Sequence, residues 1–274
     1  MNWIFLALAS GVLNALWTSQ VKPRVGPGGP LFFSAVIRWG VALLLLPWGI
    51  LRAPHLSAHW WTITSLSGIL ESLSLFLAVR GYQKDYYATY SLSNINPLFV
   101  VLLAALFLQE PLGPSLLVGM ALIIGGVLIL YYRGHFSIWG LGAALSVSAS
   151  KILSKMVIQE SGPWAQASVA FLAGALFLTL LTALDKKPPA AKDWLKKLWK
   201  EKVLVVGSTL TTLCFFAAVA RGPIGPVTLL SRVNLLVGFG LSYFGLQERK
   251  NWKGRAFGAL GILAGITWVI LKQG

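Results

Sequence analysis

The chain has 274 residues and a formal net charge of +15 at pH 7, yet only 11% of its residues are charged and 56% are hydrophobic. The apolar residues fall into blocks of about 20, the length that a helix needs to cross the hydrocarbon layer of a bilayer, which excludes a soluble nucleic-acid-binding domain. A single cysteine, Cys214, excludes a disulfide framework and a cysteine metal cluster. We therefore expect an integral membrane protein without a nucleic-acid partner.

Breaks at proline, glycine and charge clusters divide the chain into ten predicted spans. The first span has no basic start and no cleavage motif, so it is predicted to stay in the mature protein as a helix. The spans lie near residues 2–20, 29–51, 60–80, 87–108 and 113–132, followed by 137–158, 163–184, 203–220, 224–246 and 255–272.

The two halves of the chain are related by duplication. LSNINPLFVVLLAALFLQE (92–110) and LSRVNLLVGFGLSYFGLQE (230–248) share eight of nineteen residues at an offset of 138. We place the first five-helix repeat at 1–134 and the second at 135–274. Because the number of helices per repeat is odd, the second copy must insert upside down, as in many secondary transporters. The predicted fold is an all-α integral membrane protein with ten transmembrane helices in two inverted repeats.

The basic residues are distributed asymmetrically. Sixteen of the 23 Lys and Arg residues lie in the connections after the odd-numbered spans, three lie on the opposite side, and four lie within spans. By the positive-inside rule, the side with sixteen charges is cytoplasmic and both termini are outside. Seven of these charges lie in one basic connection, 185–202, where Trp194 and Leu198 recur at helical spacing among the lysines. The pattern is typical of a helix in the membrane interface, as an anionic-lipid contact or as a topology signal with an aromatic anchor.

Several motifs recur in order in both halves. LFLQE (106–110) and FGLQE (244–248) end the fourth and ninth spans, and each is followed by a helix with two glycines seven residues apart. Together with the ten spans and the duplication, these motifs resemble the EamA branch of the drug/metabolite transporter superfamily over nearly the whole chain. The resemblance implies a small-molecule carrier whose central cavity is lined by the first, third and fourth helices of each half. It also implies cytoplasmic termini, opposite to the charge count, and both topologies stay open.

Charged residues inside spans are expensive and mark functional sites. Glu71, in SGILESLSLFLAV, is the one carboxylate deep in a predicted span. It could bind a cationic substrate group, carry a coupling proton, or form an ion pair with Arg38, Lys151 or Arg232. Arg38 is expected to have a structural role, in an ion pair or in packing. For Lys151, cavity lining and a salt bridge both stay open, whereas Lys155 is close enough to its helix end to be structural.

Polar residues recur at equivalent points of the fourth and ninth spans. Asn94 and Asn96 precede Pro97, and Arg232 and Asn234 occupy the same places 138 residues later. An inverted-repeat carrier is expected to place such a pair of polar clusters around its substrate near the midplane. We predict that Asn94 and Arg232 line the cavity, with Arg232 contacting a carboxylate, and that Asn96 and Asn234 form hydrogen bonds between helices.

Aromatic residues add to this predicted site. Trp17 lies one turn from Asn14 on the first span, and Tyr90 lies one turn before Asn94. Aromatic faces beside amides suit an amphipathic or cationic ligand. The predicted substrate-binding residues are therefore Asn14, Trp17, Glu71, Tyr90, Asn94, Lys151 and Arg232.

Glycines along the fifth and tenth spans predict close helix packing, within the chain or across a homodimer. The glycines are Gly119, Gly125, Gly126, Gly258, Gly261 and Gly265.

A secondary transporter is the function that the sequence favours. We expect a small polar solute, first an amino acid or related amine, to cross the plasma membrane of a bacterium or archaeon by alternating access, and the family resemblance implies export. No cofactor or metal is expected, proton coupling stays open, and the partners are the solute and membrane lipids. A flippase for a lipid or lipid-linked phosphate is the alternative. A membrane enzyme is disfavoured because His55, His59 and His135 form no ligand set with carboxylates and no catalytic motif is found.

Overall fold

The structure is a computed structural model that describes residues 2–18, 20–21, 25, 29–52, 56–131, 135–184, 189–241 and 252–273. Within these residues every regular element is an α-helix. In chain order the helices are α1 (Asn2–Thr18), α2 (Gly29–Arg52), α3 (Ala58–Lys84), α4 (Tyr86–Ser93), α5 (Asn96–Leu108), α6 (Pro114–Tyr131), α7 (Ile138–Ala183), α8 (Ala191–Lys200), α9 (Lys202–Arg221), α10 (Ile224–Leu230), α11 (Val233–Gly240) and α12 (Trp252–Gln273).

Six stretches within the described residues are long and apolar enough to cross a membrane. They are Gly29–Gly49, Ala58–Lys84, Ala88–Leu108, Ile138–Ala183, Lys202–Arg221 and Trp252–Lys272. Three shorter apolar stretches are Trp3–Thr18, Pro114–Leu130 and Ile224–Gly240. The prediction of an all-helical integral membrane protein is confirmed, and the count of ten spans stays a prediction.

Helix α7 contains a sharp bend that separates two predicted spans. Gly162 has φ 75° and ψ 170°, a conformation outside the range of ordinary L-residues, and Pro163 follows it. The bend divides α7 into a first arm (138–161) and a second arm (163–183). The break predicted between 158 and 163 therefore lies at the only glycine–proline step of the helix.

The fourth and ninth predicted spans are not continuous helices, which corrects the sequence prediction. Each is broken near its middle, between α4 and α5 at Asn94 and between α10 and α11 at Arg232. Just before each break, a serine hydroxyl donates to the carbonyl three residues back. Ser93 donates to the Tyr90 carbonyl at 3.1 Å, and Ser231 donates to the Thr228 carbonyl at 2.8 Å. The same type of bond, from Ser67 to the Thr64 carbonyl, occurs inside unbroken α3, so these bonds accompany the breaks and do not by themselves cause them.

Equivalent helices of the two halves run antiparallel. Trp39 of α2 donates to Thr179 of the second arm of α7 at 2.7 Å, and Gly49, further along α2, lies against Ser168, earlier in that arm. In the same way, α6 packs along α12, where the indole of Trp268 donates to the carbonyl of Ser115 at 3.0 Å. The second and fifth helices of one half thus meet their counterparts in the opposite direction.

Side-chain hydrogen bonds connect α3 with both arms of α7. The hydroxyl of Thr64 donates to Gln166 at 2.9 Å, and that of Ser154 lies 3.2 Å from the hydroxyl of Ser67. All four side chains are buried. Hydroxyl and amide groups are favoured at such contacts between membrane helices because lipid offers them no partner.

The basic connection forms the predicted helix, α8, at the end of the bundle where α2 begins. The ring of Trp194 packs edge-on against Phe32 at 4.9 Å, whereas Leu195 and Trp199 are 72% and 73% exposed. Glu201, which the sequence placed in a loop, is fully buried and pairs with Lys197 at 3.2 Å. Residues 185–188 of this connection lie outside the described residues.

The predicted glycine contact is formed within the chain, between α6 and α12. A Cβ atom at Gly126 would lie 2.6 Å from the carbonyl oxygen of Gly258, whereas at neighbouring Gly125 it would meet nothing within 4 Å.

We expect Gly126→Ala to force α6 and α12 apart at a cost of roughly 1–3 kcal/mol. Gly125→Ala should be neutral or slightly stabilising. Thermal denaturation of the purified variants in detergent tests this pair, and an equal melting temperature for both would contradict it.

Candidate functional site

A polar cavity of about 230 Å³ lies between the two halves. Its walls come from α1, α3 and the α4–α5 break of the first half, and from the first arm of α7, α9 and the α10–α11 break of the second. These are the first, third and fourth helices of each half, as the resemblance implied. Arg38 of α2 also reaches the cavity.

All ten polar residues selected from the sequence line this one cavity. They are Asn14, Trp17, Arg38, Glu71, Tyr90, Asn94, Asn96, Lys151, Arg232 and Asn234. The structure adds Tyr82 and a set of hydroxyl side chains that sequence reasoning missed: Ser10, Thr18, Ser74, Ser93, Ser208, Thr211, Thr212 and Ser231. On α9 these hydroxyls recur three and four residues apart, a polar stripe that periodicity could have revealed.

Glu71 and Arg38 form an ion pair in the cavity wall. Arg38 Nη1 lies 3.3 Å from Glu71 Oε1, and Nη2 donates to the Glu71 carbonyl at 2.9 Å. The guanidinium also lies 4.4 Å from the centre of the Phe171 ring. The Glu71 side chain keeps 24% of its surface exposed, whereas that of Arg38 keeps 7%. Of the roles open for Glu71, the structure thus contains the ion pair, and the carboxylate also contacts the cavity.

The two helix breaks meet through a hydrogen bond between equivalent positions. Arg232 Nη1 donates to Asn94 Oδ1 at 2.6 Å, and Asn94 Nδ2 donates to the Tyr90 carbonyl at 2.8 Å. Both Asn94 and Arg232 are 6% exposed. The Asn94 amide therefore adds a bond to a carbonyl that also accepts from the Asn94 backbone N–H, and orients the arginine at the same time.

Asn96 and Asn234 are buried beside the breaks. The Oδ1 atoms of both amides have no hydrogen-bond partner. The hydroxyl of Ser148 donates to the backbone carbonyl of Asn96, at 3.2 Å, not to its side chain. These amide oxygens therefore do not make the hydrogen bonds between helices that the sequence predicted.

Lys151 and Lys155 lie one turn apart on α7 and have different environments. Lys155 Nζ donates to the carbonyls of Val219 at 2.7 Å and Gly222 at 2.8 Å, at the end of α9. Lys151 Nζ lies 4.5 Å from the centre of the Phe215 ring and pairs with no carboxylate within the described part of the chain. Lys155 is structural, as predicted, and Lys151 lines the cavity instead of forming a salt bridge.

Aromatic side chains form another part of the wall. Tyr90 stacks on Tyr86 with ring centres 5.5 Å apart and planes 13° apart. The indole nitrogen of Trp17 is buried without a hydrogen-bond partner. Asn14 lies one turn before Thr18, whose hydroxyl donates to the Asn14 carbonyl at 2.6 Å.

The cavity extends from the helix breaks toward the end of the bundle that carries α8. Its walls reach Thr18, the last residue of α1, and Tyr82, two residues before the end of α3. This end also carries Arg80 and Lys84, which lie over the ring of Trp139. We call it the basic end.

Polar contacts connect the helices at the opposite end. The carboxylate of Glu110 accepts hydrogen bonds from the backbone N–H groups of Ile224, at 2.9 Å, and Gly225, at 3.3 Å. It thereby caps the first turn of α10, where an anion is favoured by the free N–H groups. Together with the contacts of Lys155, these bonds hold α5, α7, α9 and α10 together on the side of the breaks that the cavity does not reach.

Metal chemistry finds no support among the described residues. They contain no group of three or more His, Cys, Asp and Glu side chains that could hold an ion. His59 and His135 are exposed, and His55 lies outside the described residues.

Comparison with known proteins identifies the family. The model of the EamA-like transporter family matches residues 1–132 and again residues 136–271. The chain belongs to the EamA-like transporter family. A solved structure described only as "Crystal structure of protein" superimposes with a TM-score of 0.76 over 98% of both chains at 16% identity, which shows a shared fold. No curated protein matches the chain.

Membership in the EamA-like family shows a two-repeat membrane transporter of the drug/metabolite type. The members of this family are transporters, not enzymes. The family resemblance indicated by the duplicated motifs is confirmed. One of these motifs, FGLQE (244–248), lies outside the described residues.

The Arg38–Glu71 pair should behave as one unit in stability measurements. Removing one partner leaves a buried charge uncompensated at a cost of about 3–5 kcal/mol, whereas removing both avoids that penalty. We expect Arg38→Met and Glu71→Gln each to lower the melting temperature, and the double variant to recover part of the loss. The four melting temperatures form a double-mutant cycle, and additive losses would show that the pair is not coupled.

Proposed function

We propose that this EamA-like protein is a secondary transporter that moves a small polar solute by alternating access between its two halves, residues 1–134 and 135–274. The observation that carries the proposal is the polar cavity, which lies between antiparallel helices, reaches the basic end and stops at the helix breaks. A channel would need a path through both ends, whereas a carrier exposes its site to one side at a time.

The duplication supplies a physical basis for the second state. Thr18 ends α1 of the first half, and Lys155 lies in the last two turns of the first arm of α7, the first helix of the second half. In this structure Lys155 bonds across to α9, whereas Thr18 bonds within its own helix and lies beside the cavity. Exchange of the two packing arrangements between the halves would close the basic end and open the other. Ten spans in two inverted repeats follow from the same proposal.

A water-soluble solute fits the cavity better than a lipid does. Residues with hydroxyl, amide or charged side chains make up more than half of those that line it, and a cavity of about 230 Å³ holds only a small molecule. The amino-acid prediction stays a prediction. A solute carboxylate could contact Arg232, but the Glu71 carboxylate that an ammonium would need is already paired with Arg38. A flippase remains the second candidate, and a cavity open sideways to lipid would favour it.

Transport direction and topology depend on which side of the membrane the basic end faces. If the positive-inside rule holds, the cavity faces the cytoplasm, which is the loading state of an exporter. Cytoplasmic termini, as the family resemblance implied, would place the same mouth outside. Labelling of the thiol of a Thr18→Cys variant from outside intact cells distinguishes these two topologies. The exposed Leu195 and Trp199, beside the lysines of α8, support contact of this end with anionic lipid.

Counterflow in proteoliposomes tests the carrier proposal directly. Solutes that raise the melting temperature of the purified protein are first identified, because a ligand that binds the folded state stabilises it. Vesicles loaded with the unlabelled solute should then accumulate the labelled solute transiently. A flux that is not accelerated by solute on the far side would indicate a channel and contradict alternating access.

Glu110 should bias the conformational equilibrium. Glu110→Gln weakens two charge-assisted hydrogen bonds to α10. The end opposite the basic end, which we call the closed end, should then open about tenfold more often for a loss of about 1.4 kcal/mol. The measurement is alkylation of Thr228→Cys, a buried site on α10, in a Cys214→Ser background. Glu160→Gln is the matched control, since Glu160 at the same end only accepts from the exposed Ser57 at 3.3 Å. Equal labelling of the two variants would exclude Glu110 from this role.

Glu71 is the residue proposed for proton coupling. Its carboxylate contacts both the cavity and Arg38, so protonation would release Arg38 and change the charge of the site. We expect Glu71→Gln to abolish the dependence of transport on pH while the protein still folds. Counterflow across a pH series, with and without a proton gradient, provides the measurement. An unchanged pH profile would reject the coupling role.

A further inference from the structure

The charges that line the cavity do not balance. Arg38, Lys151 and Arg232 contribute three positive charges, and Glu71 contributes one negative charge. Because Glu71 is paired with Arg38 at 3.3 Å, Lys151 and Arg232 have no counter-charge among the residues that the structure describes. A cation at the centre of a bilayer costs about 2.5–3.5 kcal/mol even on insertion scales, so two unbalanced cations require a compensating group from outside the protein.

The contacts of Lys151 support this requirement. The ammonium lies over the Phe215 ring at 4.5 Å and has no hydrogen-bond acceptor in the described part of the chain. An aromatic face attracts a cation, but it satisfies none of the three N–H donors. Lys155, one turn away, shows how this fold compensates a structural lysine, since its ammonium donates to two carbonyls.

Arg232 is also incompletely satisfied. Arg232 is only 6% exposed. Its Nη1 atom donates to the neutral Asn94 amide, and its Nε atom has no partner. A guanidinium carries five N–H donors in a plane and matches the oxygens of a carboxylate or phosphate in pairs. A neutral amide oxygen positions this fork without neutralising it.

Lys151 and Arg232 act on each other in the same cavity. Both cations line its wall, so their like charges repel each other. An anion bound between the two cations would replace this repulsion with two attractions. Nearby donors without a partner, the Trp17 indole nitrogen and the Thr211 hydroxyl, favour an oxygen-rich ligand, and the free amide oxygen of Asn234 suits a solute hydroxyl.

We propose that the cavity selects a solute of net negative charge, and that Lys151 and Arg232 together bind its acidic group, a carboxylate or a phosphate. The inference rests on the proposed carrier function and specifies its substrate class. It replaces the amine and the zwitterionic amino acid expected from the sequence with an organic anion, because the cavity residues that the structure describes carry an excess of two positive charges and include no unpaired carboxylate.

The charge selectivity of the cavity can be measured without knowing the solute. In a Cys214→Ser background, Thr211→Cys places a thiol on the cavity wall, and Thr62→Cys places one on the exposed side of α3. Each thiol is converted to a mixed disulfide, with release of methanesulfinate, by a methanethiosulfonate that carries either a sulfonate or a trimethylammonium group. We expect the ratio of sulfonate to trimethylammonium rates to be at least about tenfold higher at Thr211→Cys than at Thr62→Cys, which corresponds to about 1.4 kcal/mol.

Second-site variants assign that preference to the two cations. Lys151→Met should reduce the rate ratio severalfold and Lys151→Arg should restore it. Lys200→Met, which removes the same charge from the exposed face of α8, should leave the ratio unchanged. Arg232→Gln should act as Lys151→Met does. A cavity thiol that shows no preference, or prefers the trimethylammonium reagent, would overturn the proposal even if the Lys151 variants failed to fold.

A series of four-carbon solutes separates this proposal from the carrier proposal. Succinate, aspartate, 4-aminobutyrate and 1,4-diaminobutane differ mainly in charge, and glycerol 3-phosphate distinguishes phosphate from carboxylate. We expect an anion to raise the melting temperature of the wild-type protein most, and Lys151→Met to remove the rise. Stabilisation by the amines alone, or by no anion, contradicts the anion site. If only neutral or cationic solutes show counterflow, the carrier proposal stands and the anion selection fails. If anions bind but none exchanges, the anion site stands and the carrier proposal fails.

Discussion

The constraint that shapes this protein is that polar groups inside the hydrocarbon layer must find partners within the protein. The two broken helices show how the constraint is met. At the first break, Asn94 bonds to the Tyr90 carbonyl, and Arg232 reaches across to Asn94 from the second break. The broken backbone is thereby kept away from lipid and surrounds a cavity. Without this contact, the two halves would have to bury unsatisfied groups at the place where they meet.

The same constraint explains the contacts on either side of the breaks. At the closed end, helix termini receive charged partners, Glu110 at the start of α10 and Lys155 at the end of α9. Within the bundle, Gln166 and Thr64 connect helices that would otherwise have only apolar contacts. Many polar side chains in the described part of this protein complete the bonding of helices, whereas Arg232, Asn96 and Asn234 are incompletely bonded beside the cavity and Ser34 and Ser91 away from it.

Much of the fold followed from the sequence because its strongest signals are long and repeated. Apolar blocks of span length, the offset of 138 residues and the amphipathic pattern at 191–200 were sufficient for the helical fold, the family and helix α8. The break between α10 and α11 was missed because no proline follows Arg232 as Pro97 follows Asn94, and serine bonds like that of Ser231 also occur in unbroken helices. The burial of Glu201 was missed because its partner, Lys197, looked like one lysine among many at a membrane surface.

For the site, location was more predictable than bonding. Intramembrane polarity was enough to select residues that all line one cavity, since few other places in a membrane protein tolerate them. Their partners could not be predicted, because pairing depends on the distances between helices that are far apart in sequence. The sequence therefore left Glu71 with three equal partners, and only the packing of α2 against α3 selected Arg38.

The division of charge between the halves has a further consequence for motion. Both incompletely satisfied cations, Lys151 and Arg232, belong to the second half, whereas the first half contributes a pair that neutralises itself. A bound anion would therefore be anchored to one wall, and the opposite wall could slide past it without breaking a strong bond. The height of the barrier between the two states would then depend on hydroxyl and amide contacts that exchange at little cost.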